Sequence, residues 1–64
     1  MLRVRSEAHG LKHLGRAQRH AGRPGDARES WLRAEVIFRE LGDRGEAAEL
    51  ETQLIELSPE IRDG

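Results

Sequence analysis

LKHLGRAQRHAGRPGDARESWLRA, residues 11–34, decides the fold. Apolar and small residues recur in it three and four apart, which is helical spacing, on both sides of a break. The break is Gly22-Arg23-Pro24-Gly25. Glycine takes the left-handed position that closes a helix, and proline disfavours helix for the residue before it. Two helices joined by so short a turn lie antiparallel and side by side. Gly15, Ala27 and Ala34 are small enough to let them approach closely, and Trp31 fills the space beside them.

Working outward, the first helix is expected over about 6–21, with Ser6 as its N-cap. The second is expected over about 26–41: Asp26 and Glu29 have capping-box spacing, and Gly42 ends it. The third is expected over about 44–57, capped by Asp43 and ended by Pro59 through its effect on Ser58. No stretch alternates long enough for a half-buried strand. The fold class is therefore all-α: three antiparallel helices, a hairpin plus a third packing or capping helix. Residues 1–5 are expected as a short or disordered segment, 6–57 as the helical domain and 58–64 as a tail.

Each helix has an apolar face at about 100° per residue. On the first it holds Ala8, Leu11, Leu14, Gly15, Ala17, Gln18, Ala21 and Gly22. On the second it holds Ala27, Trp31, Ala34, Phe38 and Leu41, with Ile37 beside them. On the third, Ala47, Leu50, Leu54, Leu57 and Ile61 make a short coiled-coil-like seam. Val36 and Ile55 fall off the main faces.

Composition narrows the chemistry. At 64 residues the chain is a single domain or a part of one, marginal in the core it can build. It has no cysteine, which excludes disulfides and thiolate metal sites. No apolar run is long enough to cross a membrane, and Met1–Gly10 lacks the apolar core of a secretory signal, so a cytoplasmic chain is expected. The net charge of −1 hides a division. Residues 1–33 hold eight Lys and Arg against three acids, and residues 34–64 hold three against nine. Such halves point to an interaction, with a partner or with a second copy.

The order Leu11, Leu14-Gly15, Gly22, Ala27, Trp31, Ala34 resembles the signature of a tetratricopeptide repeat. Leu11 stands where that family often has Trp, Gln18 where it has Tyr, and Arg39 where it has Pro. The resemblance spans about residues 8–41. The third helix would open a second unit, but Ala48-Glu49 replaces the Leu-Gly pair. Residues 31–43, WLRAEVIFRELGD, also resemble repeats of large bacterial transcriptional regulators of actinomycete type. What the resemblance implies is a protein-interaction module whose first helix lines a peptide-binding groove. Repeats of this kind bury their faces on neighbours, so one and a half units imply marginal stability or self-association.

Opposite the apolar face of the first helix lies a basic stripe: His9, Lys12, His13, Arg16, Arg19, His20 and Arg23. The ordinary reading of such a stripe is a solvated face. The functional reading is a site for an acidic or carboxylate-bearing peptide, because arginine holds a carboxylate through two parallel hydrogen bonds. The candidate peptide-binding residues are His9, Lys12, His13, Arg16, Arg19 and Arg23. His9 and His13 have the spacing of a zinc pair, but no third ligand stands beside them and Lys12 and Arg16 repel cations, so no metal is expected. No other cofactor is expected either.

A second reading is a homodimer built on the seam Leu50, Leu54 and Leu57, with Glu46, Glu49, Glu51 and Glu56 facing the basic stripe of another copy. Nucleic acid is disfavoured, because the basic excess is modest and few aromatics could stack on bases. Gly42-Asp43-Arg44-Gly45 lacks the strand and the Lys-Ser/Thr of a phosphate loop. Ser6, Ser30, Thr52 and Ser58 read as caps or surface. No nucleophile stands beside a base, so the chain is expected to be no enzyme.

Overall fold

The computed structural model describes the backbone of residues 2–61 and the side chains of residues 4–59. Three α-helices follow one another: α1 (Leu2–His20), α2 (Pro24–Glu40) and α3 (Arg44–Ile61). There is no strand among the described residues. No helix there is long and apolar enough to cross a membrane.

The two turns are closed in the same way. Gly22 and Gly42 have φ of 78° and 79°, a conformation that costs glycine nothing. Arg23 N–H donates to Gln18 O at 2.8 Å and Asp43 N–H to Phe38 O at 2.8 Å, while Gly22 and Gly42 donate to Arg19 O and Arg39 O at 3.0 Å each. This is the Schellman closure, and it satisfies carbonyls that the helix end would otherwise orphan.

The helix starts differ from expectation in two places. α1 already begins at Leu2, so Ser6 lies inside it, and described residues 2–5 are helical. Nothing in Leu2–Arg5 breaks a helix, and Arg5 is held at 3.1 Å by Asp43, which precedes α3. Met1 lies outside the described residues. α2 begins at Pro24, with Arg23 as an N-cap that makes no side-chain cap bond. Proline suits the first helical position because its missing N–H has no intrahelical acceptor there. Asp26 is thereby displaced into the first turn, where Arg23 Nε meets its Oδ2 at 2.9 Å. Asp43 caps α3 as expected, accepting from Glu46 N–H at 3.2 Å.

α3 also runs past its expected end. It passes through Pro59 to Ile61. Proline there withholds one N–H from the carbonyl of Ile55. Ile55 is 72% exposed, so water reaches that part of the helix. Residues 62–64 of the expected tail lie outside the described residues, as does the Ile61 side chain.

α2 is the middle element, packed against both α1 and α3, which approach each other at few positions. The buried apolar set is Ala8, Ala27, Trp31, Ala34, Phe38, Ala47, Leu50 and Leu57, with Leu11, Ile37 and Leu54 packed against it. Trp31 lies on Gly15, and its indole Nε1–H donates to the Lys12 carbonyl at 3.0 Å. A Cβ added to Gly15 would meet the indole, with Cδ1 at 2.5 Å and Cε2 at 2.9 Å. The contact between α1 and α2 is centred on Ala8, Leu11 and Gly15, so Leu14, expected inside, sits at its edge and is 47% exposed. Ala17 and Ala21 are exposed for the same reason. Ser30, expected at the surface, is buried and donates to Gln18 Oε1 at 2.7 Å. Val36 and Ile55 are exposed, off the packed faces as their spacing indicates.

On the other side of α2, Arg39 joins Glu35 one turn away and Glu51 of α3, at 2.5 Å and 2.7 Å. Glu35 is buried. Burial pushes its carboxyl above the ordinary value of 4.5, a hydrogen bond with Glu51 adds to the rise, and Arg39 opposes it. The folded chain therefore holds this proton more tightly than the unfolded chain. Glu35 costs stability at neutral pH, and the cost disappears as pH falls from the raised value toward 4.5.

Two outcomes are expected. Gly15→Ala gains about 1 kcal/mol of helix propensity but overpacks the Trp31 contact at about 1–3 kcal/mol. The net effect is destabilising, with a lower thermal midpoint and a red-shifted Trp31 emission. Glu35→Gln removes the titration. In urea unfolding across pH, wild type gains on this variant as pH falls toward 4.5. A gap that moves the other way would show that Arg39 outweighs burial.

Candidate functional site

Several residues of the basic stripe expected along α1 serve the fold itself. His9 stands edge-on to Phe38, ring centroids 5.1 Å apart at 79°, and so belongs to the packing of α1 on α2. Lys12 Nζ reaches Glu46 Oε1 at 2.9 Å and Glu49 Oε1 at 3.2 Å. Arg23 is held by Asp26. His9, Lys12 and Arg23 of the candidate peptide-binding residues thus have partners within the chain. Three of the four acids expected to meet another copy serve the same end: Glu46 and Glu49 hold Lys12, and Glu51 holds Arg39.

These contacts set the geometry of α1 and α3. Arg5 meets Asp43 just before α3, and Lys12, two turns later in α1, meets Glu46 and Glu49. Both members advance along the chain together, so α1 and α3 run parallel, with α2 antiparallel to each. The hydrogen bond to Glu46 is the main influence raising the Lys12 ammonium above 10.5, against the cost of partial burial. On the lysine side the tie is at full strength below that value and is lost only as pH rises through the raised one.

Beyond Lys12 the two helices flank a groove of about 790 Å³. His13, Arg16, Arg19 and His20 line it from α1. Glu49, Gln53 and Glu56 line it from α3, and Trp31 and Leu50 contribute from within. The groove brings together His13, Arg16 and Arg19 of the expected set and adds His20, the remaining member of the stripe. The α3 wall was not foreseen as part of a site. Its signal is the 3, 4, 3 spacing of Glu46, Glu49, Gln53 and Glu56, which marks one side of a helix. Trp31 was foreseen as core alone. It is 3% exposed and still reaches the groove.

The seam expected to pair with a second copy is turned inward. Leu50 and Leu57 are 1% and 0% exposed, and Leu54 is partly buried against the same cluster. Among the described residues, this face of α3 closes the hairpin's open side. Among the described residues, no group of three or more His, Cys, Asp or Glu could hold a metal ion. No family model, curated protein or solved structure matches this chain.

Because Leu57 is buried within its own chain, Leu57→Ala is expected to cost about 2–5 kcal/mol. Urea unfolding at two protein concentrations would show the loss to be the same at both. A loss that shrinks with concentration would place Leu57 in an interface between copies.

Proposed function

We propose that this chain is a non-catalytic protein–protein interaction module of tetratricopeptide type, which binds an acidic or carboxylate-bearing peptide segment along α1. The observation that carries the reading is the groove between α1 and α3, with His13, Arg16, Arg19 and His20 along one wall. The Arg16 guanidinium on a rigid helix, with His13 and His20 one turn away on either side, suits carboxylates presented by an extended or helical segment. The resemblance of residues 8–41 to the repeat signature supports the same reading, since it implies a first helix that lines a binding groove. The likeness of residues 31–43 to repeats of bacterial regulators suggests a setting in which such a module assembles a larger regulator.

Arg16 tests the reading with little risk to the fold, because its side chain is exposed. Arg16→Glu is expected to weaken binding of a glutamate-bearing peptide by about tenfold and to leave the thermal midpoint unchanged. Fluorescence titration on Trp31 would measure the first and circular dichroism the second. An unchanged affinity would reduce the stripe to a solvated face.

A further inference from the structure

Histidine is the side chain whose ordinary titration falls between about pH 5 and 8. All three histidines of the chain stand in α1, and the fold separates them. His9 packs edge-on against Phe38. His13 and His20 are exposed and line the groove. They are two turns apart, about 10 Å along the helix, and Arg16 lies between them on the same wall.

The other charged groups that line the groove are fixed over that range. α1 contributes Lys12, Arg16 and Arg19, α3 contributes Glu49 and Glu56 beside the neutral Gln53, and α2 contributes Trp31. Lys12 and Arg19 have interactions of their own. Lysine and arginine keep their charge up to about pH 10, and glutamate keeps its charge down to about pH 5. Three cations therefore face two carboxylates while both imidazoles are neutral, and five face the same two once both are protonated. That gain of two positive charges is the same whatever internal partners the fixed charges have.

We propose that capture of an acidic segment in this groove is governed by pH through His13 and His20. This rests on the peptide-binding reading above and adds its regulation. A charged imidazole donates from both ring nitrogens and attracts a carboxylate, whereas a neutral one donates from one nitrogen and carries no charge. Binding and protonation therefore favour each other. The site strengthens as pH falls through the histidine range and weakens as pH rises. Arg16 holds its share of the ligand throughout, so binding is graded and not abolished at the upper end.

The test uses a fluorescently labelled glutamate-bearing peptide and the full chain. Anisotropy is read at about pH 5.5 and about pH 8, at one ionic strength. Wild type is expected to bind about fivefold tighter at the lower pH, as two exposed pairs allow. The double variant His13→Gln with His20→Gln is expected to bind alike at both. It retains His9, Glu35 and the peptide's own glutamates, so pH dependence left in it belongs to those groups. Both replaced side chains are exposed, so the core is untouched, and circular dichroism checks the fold at each pH. Equal binding by wild type at both pH values overturns this inference and leaves the acidic-segment reading standing. So does a double variant that keeps most of the wild-type pH dependence. No binding at either pH overturns both.

Discussion

The contact between the Trp31 indole and the bare Cα of Gly15 is the constraint on which the rest of the structure depends. It sets the distance between α1 and α2, because the ring occupies the space where any other residue's Cβ would stand. Its Nε1–H bonds the Lys12 carbonyl and so fixes the ring's orientation as well as its depth. A tryptophan buried without a partner for that N–H would carry the cost of an unsatisfied donor. With ring and backbone locked, Lys12 emerges from α1 at a defined angle, and that angle brings its ammonium to Glu46 and Glu49. The packing of two helices therefore governs the electrostatics between a different pair.

Charge in this chain is divided by sequence half, and the fold uses the division locally before any partner could. A small domain with little core has few ways to hold a third helix. α3 is held by three kinds of contact: the Leu50 and Leu57 side chains inside, the ties to Arg5 and Lys12 on one flank, and the Arg39 bridge on the other. The apolar contact supplies most of the stabilisation, since exposed pairs contribute at most about 1 kcal/mol each. The ion pairs fix which way round α3 lies.

The fold was largely legible in the sequence because its determinants are local. Helical spacing, Gly22 and Gly42 gave three helices and both turns, and the small residues gave a close hairpin. What was missed came from competition between local signals and tertiary ones. Ser6 reads as a cap by itself, yet α1 extends past it, with Arg5 held across to Asp43. Asp26 reads as a cap, but Pro24 suits the first helical position better. Leu14 reads as core by its angle on the wheel, although the contact is centred elsewhere. The candidate groove was half legible. The basic wall is a pattern within one helix. The opposing wall and the spending of Lys12 and Arg23 depend on how α1, α2 and α3 are set against their neighbours, which no single-helix periodicity reports. The leucine seam was recognised as a packing surface but not assigned to its own chain, because a wheel shows a face and not what covers it.

Arg5 and Lys12 tie the first half of α1 to the start of α3 through partly exposed ion pairs. Dissolved salt screens such pairs, but it does not weaken the buried contacts of Trp31, Leu50 and Leu57. Ionic strength therefore acts on one of the means by which α3 is held and spares the other. Salt loosens the grip of α3 on α1 while the spacing of α1 and α2 stays as the indole sets it.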